Sequence, residues 1–332
     1  MSRATLVAGV LVVCAGGGGA AIVLADGDEG DGGEQVTAAA GRWTVLRRSL
    51  LARTEVAAAR VGRFVYVMGG FERRSGTTTA AVERYDLRRN RWRRVRSMPI
   101  ALNHPAGASY RGDVYVVGGY TGRGDLRGEV SSLYRYDPGR DRWSRLPDAP
   151  TARAALAVGA IGGKLYAAGG ANASDGALRR LEIYDFATRR WERGPDMGFA
   201  REHLAGAVSG RAFYVLAGRE AGRGNFKVAE RYLPAQRRWE RLADMRKPRG
   251  GIGAATVGGR VVVAGGEEMS GTIREVEVYD PAKRRWTRLP DLRTPRHGLG
   301  VISAGRRVYA IEGGPTPGFA FSKANETFAF GE

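Results

Sequence analysis

A tryptophan recurs six times along this chain of 332 residues, at intervals of 47 to 51 residues. The six residues are Trp43, Trp92, Trp143, Trp191, Trp239 and Trp286. Each is followed 26 residues later by a pair that ends in glycine and closes a run of mostly β-branched and aromatic residues. A period of this length is typical of propellers and solenoids, so the chain is predicted to fold as six copies of one unit.

The second unit shows what one copy contains. Its β-branched and aromatic runs, separated by glycine-rich turns, predict strands at 106–110, 114–117, 133–137 and 143–146. Four antiparallel strands per unit form the blade of a β-propeller.

Three features of the repeat resemble the Kelch family: a Gly-Gly doublet, a Tyr-Asp pair, and a tryptophan seven residues after the tyrosine. The pairs are Tyr85-Asp86, Tyr136-Asp137, Tyr184-Asp185 and Tyr279-Asp280. The fourth and sixth units depart from the pattern, with Ala217-Gly218 and Glu312-Gly313 in place of the doublet. WD-type propellers fit less well, because their period is shorter and the chain has no Trp-Asp dipeptide.

The two ends of the repeat array complete each other. Trp43 stands where a fourth strand is expected but has no strands before it, while the last unit lacks a tryptophan. Pairing 43–46 with 326–330 would supply the missing strand and remove two exposed edges, which otherwise template aggregation. We therefore predict an all-β, six-bladed Kelch propeller over 42–332, with four antiparallel strands per blade and the last blade closed by the N-terminal strand.

The segment before the propeller has a different composition. Residues 4–25 carry no charge over 22 positions, which is long enough for a helix to cross a membrane. The same stretch is typical of a secretory signal cleaved after Ala25. We expect 1–25 to be a signal peptide or a membrane anchor, with lipidation at Cys14 as a third alternative, and 26–41 to be an acidic, glycine-rich linker. Each alternative brings the N-terminal segment to a membrane and places the propeller outside the cytoplasm, secreted or anchored.

Basic residues outnumber acidic residues by 53 to 34, which gives a formal net charge of +19. Such a surplus raises the question of nucleic acid. Many arginines, however, flank the tryptophans of the predicted outer strands, where charge protects sheet edges from pairing. No specific nucleic-acid partner is therefore expected, although the run 88–96 could contact polyanions such as teichoic acid or anionic lipid.

Only one loop of the repeat varies in length, the loop that joins the second and third strands. Insertions confined to one face often mark the binding face of a repeat protein. That face also receives the residue ten positions after each tryptophan, which is an arginine in five units: Arg53, Arg153, Arg201, Arg249 and Arg296. Arginine matches carboxylate and phosphate geometry, so these residues are candidates for binding an acidic sugar or other anion. The alternative is a structural role, in which they donate hydrogen bonds to the carbonyl groups of the neighbouring doublets.

All three histidines lie one or two residues after this repeat position, which is Leu102 in the unit of His104; His104 and His203 follow their tryptophans by twelve residues and His297 by eleven. The one-residue offset is expected to turn His297 to the opposite side of an extended strand, so we predict neither a metal site nor a cofactor. His104, His203 and Glu202 are instead candidate ligand-binding residues, and a paired glutamate and histidine could transfer protons. Four further glutamates fall on this face: Glu55, Glu220, Glu267 and Glu268.

Two classes of function remain open. Kelch propellers that resemble galactose oxidase need a cysteine within the blades for their copper chemistry, and the single cysteine, Cys14, lies before them. Intracellular Kelch adaptors carry an oligomerisation domain before the propeller, whereas here an export segment precedes it. We predict a monomeric, exported module that binds an acidic glycan, a cell-envelope polymer or a protein. The alternative is a carbohydrate mutarotase or epimerase resembling the six-bladed sialic acid mutarotases.

Overall fold

The computed structural model describes residues 41–331, which contain six four-stranded antiparallel sheets. In five of the sheets, blades 1 to 5, the four strands follow one another along the chain. In the last sheet, blade 6, three C-terminal strands are completed by Thr44–Val45. The inner strands contact one another in cyclic order, with blade 6 against blade 1, so the sheets surround a central channel.

Each blade has its first strand at the channel and its fourth strand outermost. From the channel outwards, blades 1 to 3 consist of Ala57–Val61, Phe64–Met68, Val82–Asp86 and Arg91–Val95; Ala106–Tyr110, Asp113–Val117, Leu133–Asp137 and Arg142–Leu146; and Ala157–Ile161, Lys164–Ala168, Leu181–Asp185 and Arg190–Arg193. In the same order, blades 4 to 6 consist of Ala205–Ser209, Ala212–Leu216, Ala229–Leu233 and Arg238–Arg241; Gly253–Val257, Arg260–Ala264, Val276–Asp280 and Arg285–Leu289; and Gly300–Ala304, Arg307–Ile311, Asn325–Ala329 and Thr44–Val45.

Short strands and one turn of 3-10 helix lie in the connections. The two-residue strands are Arg53–Thr54, Phe71–Glu72, Thr77–Thr78, Ala171–Asn172, Gly176–Ala177, Arg219–Glu220, Gly224–Asn225, Glu267–Glu268 and Gly271–Thr272. The 3-10 turn Pro234–Gln236 joins the third and fourth strands of blade 4.

The N-terminal strand closes blade 6, as predicted. Thr44 pairs with Thr327 and Val45 with Glu326 in an antiparallel register. The indole of Trp43 is buried, and its Nε1 donates to the carbonyl oxygen of Pro290 at 2.8 Å. The prediction of an all-β propeller closed by its N-terminal strand is therefore confirmed.

The repeated tryptophan connects neighbouring blades. In every unit its Nε1 donates at 2.8 or 2.9 Å to a carbonyl oxygen of the preceding blade, as Trp92 does to Arg47. The ring of Trp92 also packs on Tyr85, with centroids 4.7 Å apart. One side chain thus contributes both to the interior of its own blade and to the contact with the preceding blade, which explains the regular spacing.

Within residues 41–331, no helix is long and apolar enough to span a membrane. The predicted export segment, 1–25, and nearly all of the predicted linker, 26–41, lie outside the described residues. Expectations about export therefore rest on the sequence.

Candidate functional site

The residue twelve positions after each tryptophan lies at one mouth of the channel. The six residues are Glu55, His104, Ala155, His203, Gly251 and Gly298. Along this series each backbone N–H donates to the carbonyl oxygen of the preceding member at 2.8 to 3.1 Å, and Val56 N–H closes the circle on Gly298 at 3.3 Å. All six have φ between 52° and 66°, which costs roughly 1 to 2 kcal/mol for a residue with a side chain. This backbone ring holds the first atoms of each side chain at the mouth.

Two further repeat positions complete the mouth: the residue before each ring residue and the residue directly after each doublet. In every blade the two are paired in an antiparallel β-bridge or short strand pair, as between Glu202 and Arg219. In blade 3 all three positions are alanine: Ala154, Ala155 and Ala171. The small side chains leave space in which His104 of blade 2 and His203 of blade 4 meet, with ring centroids 4.7 Å apart.

Glu55 lies between two histidines. Its Oε2 is 3.2 Å from His104 Nε2, and its Oε1 is 3.0 Å from His297 Nδ1. The prediction that His297 turns away from the other histidines was wrong. The alternation of side chains requires an extended backbone, whereas the residue that follows His297, Gly298, has a φ of 58°.

Arg219 connects the opposite side of the mouth. Its Nε lies 2.7 Å from Glu202 Oε1, its Nη1 2.9 Å from Glu267 Oε1, and its Nη2 3.0 Å from His203 Nε2. His203 Nδ1 contacts Glu202 Oε2. Arg219 was missed in the sequence, although its position directly after the fourth doublet is a signal that could have found it. The name mouth cluster is used below for Glu55, His104, Glu202, His203, Arg219, Glu267 and His297.

The environment of the mouth cluster shifts the pKa values of its titratable groups. Burial raises the pKa of Glu55, but in acid the positive charge of protonated His104, together with a hydrogen bond from His297, outweighs burial and holds the pKa well below its usual range. Burial likewise opposes ionisation of Glu202, but His203 and Arg219 lower its pKa to about 2. Burial lowers the pKa of His104 to about 4. At neutral pH the mouth therefore holds ionised carboxylates beside the neutral imidazole of His104.

His297 behaves in the opposite way. Burial lowers its pKa, but the contacts with Glu55 and Glu267 outweigh burial and raise it above the usual value. Its Nε2 donates to the carbonyl oxygen of Thr316 at 3.0 Å, so both ring nitrogens face oxygen atoms. A protonated imidazole fits this position.

The five arginines predicted to bind an anion do not reach the mouth. Arg53, Arg153, Arg201, Arg249 and Arg296 are each at most 1% exposed. Each donates to the carbonyl oxygen of the first doublet residue and to a buried glutamate on the third strand of its blade. A buried guanidinium group cannot meet a ligand at the mouth, so the predicted anion site does not form from these residues. Their contacts match the structural alternative.

Residues 55–247 match the KLHDC2/KLHL20/DRC7 Kelch-repeats domain, and residues 248–293 match the Kelch motif. The chain belongs to the Kelch-repeat family. This agrees with the resemblance in its glycine doublets, Tyr-Asp pairs and tryptophans.

Several curated proteins share part of this Kelch propeller. Human Kelch-like protein 34 is 36% identical over 129 residues, which are 38% of this chain and 20% of that protein. Kelch-like protein terF of Aspergillus terreus is 32% identical over 122 residues, 34% of this chain and 27% of its own length. Beta-scruin of Limulus polyphemus is 31% identical over 140 residues, 41% of this chain and 15% of its own length. This chain thus matches about a quarter or less of the length of these relatives.

Among solved structures, the one titled "Structure of YjhT" superimposes with a TM-score of 0.71 at 16% sequence identity. The match covers 84% of this chain and 96% of that one. At this identity the likeness concerns the fold.

The loops between the second and third strands of this Kelch propeller carry exposed apolar residues. Leu126, Met269 and Phe319 lie in the loops of blades 2, 5 and 6. Phe319 packs on Phe71, which follows the first doublet, with centroids 4.6 Å apart, and Phe71 in turn contacts His104. The variable loop of blade 6 therefore reaches the mouth cluster.

Two of the glutamates expected on the face of the variable loops lie outside the mouth cluster. Glu220 pairs with Arg223 and Glu268 with Lys247, each at 2.9 Å. Below the backbone ring, Glu55, His104 and His203 border a cavity of about 130 Å³ whose remaining lining is largely alanine, glycine and leucine. This volume admits a few water molecules or a small chemical group, so a larger ligand would lie over the mouth.

Proposed function

We propose that this Kelch propeller is an exported binding module that holds a macromolecular partner on the face of the variable loops. The observation that carries the proposal is the exposure of Leu126, Met269 and Phe319 at this face. Exposed apolar side chains rimmed by polar residues are typical of interaction sites. Kelch propellers generally bind proteins, and we propose a protein as the partner, with a glycan or a cell-envelope polymer as the alternatives.

A triple variant tests this function. Leu126→Ser, Met269→Ser and Phe319→Ser together should abolish cross-linking of the purified propeller to an envelope fraction and any signal on arrays of glycans and teichoic acid. Val45→Ser is the control, because Val45 is also exposed but lies on the outer strand of blade 6. Unchanged binding by the triple variant would contradict the proposed face. The array and the cross-linking arms separate a glycan from a protein partner.

The mouth cluster favours a second candidate function, the mutarotase or epimerase. Groups with perturbed pKa values at a concave site are typical of proton-transfer chemistry. Sugar ring opening requires a base that removes the proton of the anomeric hydroxyl and an acid that protonates the ring oxygen. His104, whose pKa lies at about 4, would be the base. A protonated His297 would be the acid, and Arg219 would hold a sugar carboxylate.

Anomer exchange measured by NMR distinguishes the two functions. With uronic and sialic acids as substrates, the mutarotase should accelerate exchange and His104→Gln should slow it. Glu220→Gln, which lies outside the mouth cluster, should leave the rate unchanged. Exchange at the uncatalysed rate in the wild-type protein would exclude this function and leave the binding module.

Export is a separate proposal, supported by the uncharged segment 4–25 and the acidic run that follows it. A fusion of residues 1–41 to a reporter enzyme should appear outside the cytoplasm after cell fractionation. A reporter retained in the cytoplasm would contradict export without affecting the binding face.

A further inference from the structure

Carboxylates outnumber cations in the mouth cluster. The cluster holds three glutamates and one arginine: Glu202 and Glu267 pair with Arg219, while Glu55 contacts only His104 and His297 among the cluster residues. Even with His297 protonated, one negative charge remains in excess. Although the chain as a whole has a formal charge of +19, this mouth electrostatically favours a cation over an anion.

The amide of Asn103 determines which nitrogen of His104 carries the proton. Asn103 Nδ2 lies 2.7 Å from Thr78 Oγ1 and 3.3 Å from the carbonyl oxygen of Tyr120, so the Oδ1 atom faces His104 Nδ1 at 2.7 Å. Nδ1 is then the donor, and Nε2 directs its lone pair towards Glu55 Oε2 at 3.2 Å. Two acceptors at this distance require a proton or a metal cation between them.

His203, on the other side of the blade 3 alanines, is also held by the residue directly before it. Its Nδ1 faces the carboxylate of Glu202, so its Nε2 also offers a lone pair at the mouth. Metal-binding histidines commonly donate their other ring N–H to a carboxylate or carbonyl oxygen, which fixes the tautomer. Asn103 and Glu202 occupy these supporting positions for His104 and His203.

We propose that Glu55, His104 and His203 bind a divalent transition cation of the zinc class at the channel mouth. Their ligand atoms all lie within 4.8 Å of one another. Bonds of about 2.0 to 2.2 Å place the ligand atoms of a tetrahedral site roughly 3.4 Å apart. Side-chain rotations that move these atoms by about 1 Å would bring all three to bonding distance of one ion. Two histidines and a glutamate are a donor set that zinc uses where a fourth position stays open to water or substrate. The site does not depend on the binding module, but it is an alternative to the mutarotase, because a metal bound to His104 Nε2 would occupy the lone pair that the base needs.

Arg219 competes with the cation for His203. Its Nη2 lies 3.0 Å from His203 Nε2, the atom that would ligate the metal. The Arg219 side chain is 31% exposed, so the planar guanidinium group can swing outward as a whole, at the expense of its ion pairs with Glu202 and Glu267. Removing Arg219 should therefore strengthen the binding of a cation, whereas it should weaken the binding of an anion.

Calorimetry of the full chain with Zn²⁺ alone, and absorption spectroscopy with Co²⁺ alone, test the site. We expect one ion per chain, a tetrahedral cobalt spectrum, and a rise in melting temperature with zinc concentration, because the ion binds only the folded state. Glu55→Gln, His104→Gln and His203→Gln should each weaken binding by at least about tenfold. Glu220→Gln and Cys14→Ser are controls and should bind as the wild type does.

Arg219→Gln keeps the test decisive if a ligand variant fails to fold. This variant should bind zinc more tightly than the wild type does. The rise in melting temperature that zinc causes should also be larger in this variant than in the wild type. The absence of saturable zinc binding in the wild type would overturn the proposal. The proposal would also be overturned if His104→Gln and His203→Gln left the zinc affinity unchanged, or if Arg219→Gln lowered it. In either case a proton alone would bridge Glu55 and His104.

Discussion

Blade 2 provides a natural control for the buried arginines, because it has Leu102 and Tyr134 where blade 4 has Arg201 and Glu230. In blade 4, Arg201 Nη2 lies 2.6 Å from Glu230 Oε2, and neither side chain is more than 4% exposed. In blade 2, Leu102 and Tyr134 are buried in the same apolar cluster. The same backbone position thus accepts either an ion pair or an apolar pair.

We predict that Arg201→Leu alone lowers the free energy of unfolding by about 3 to 5 kcal/mol, because it leaves the carboxylate of Glu230 buried without its cation. The double variant Arg201→Leu with Glu230→Tyr also removes that charge. Its remaining cost is about 1 to 3 kcal/mol for the carbonyl oxygen of Ala217, which loses its contact with Arg201 Nη1. The second change should therefore recover stability that the first one removes.

Equilibrium unfolding in urea, followed by tryptophan fluorescence, measures both values. Arg190→Ala is the control, because Arg190 is exposed on the outer strand of blade 3 and should change stability by less than about 0.5 kcal/mol. Equal losses in the single and double variants would refute the reasoning, since the buried charge would then not be the source of the loss. A loss for Arg201→Leu no larger than that of the control would refute it as well.

Three further predictions concern closure, pH and the mouth. A chain that begins at Leu50 lacks the outer strand of blade 6, so it should melt at a lower temperature and aggregate more than the full propeller; identical behaviour in calorimetry and light scattering would disprove the closure. Burial raises the pKa of Glu312 from 4.5 to about 7. The contribution of this carboxyl to the free energy of unfolding should therefore be fully present below pH 4.5, where it is protonated in both the folded and the unfolded chain. Up to about 3 kcal/mol of that free energy should be lost as the pH rises through 7. Glu312→Gln should flatten that part of the pH profile in urea titrations, and an unchanged profile would argue against it. Gly298→Ala would place its Cβ 2.5 Å from Glu55 Oε1 and should reduce zinc affinity at least about tenfold, whereas Gly305→Ala, with a similar φ and no atom within 4 Å, should not.

The strands and their order follow from local sequence. The four strands predicted for unit two agree within one residue with Ala106–Tyr110, Asp113–Val117, Leu133–Asp137 and Arg142–Leu146. Turn glycines and β-branched runs act over a few residues, so they can be interpreted without knowing the rest of the chain. The closure was also predictable, because an incomplete unit at each end leaves one arrangement that completes six blades.

The arginines show where local sequence stops being sufficient. The repeat position of Arg201 places it near the doublet, but whether its guanidinium faces the channel or the blade depends on a countercharge. Glu230, 29 residues later on the third strand, supplies that countercharge in the interior. Sequence spacing identified the position, while the pairing that buries the side chain follows from how the strands pack.

The mouth cluster depends on contacts that only the closed ring creates. Glu55 and His297 are 242 residues apart in sequence, yet their side chains meet because blade 6 packs against blade 1. The left-handed backbone at Gly298 turns His297 towards Glu55, against the alternation expected of a strand. The sequence by itself therefore determined the blades, their number and the face that varies. The tertiary structure alone decided which charged groups face one another, because ring closure and local backbone geometry set those distances.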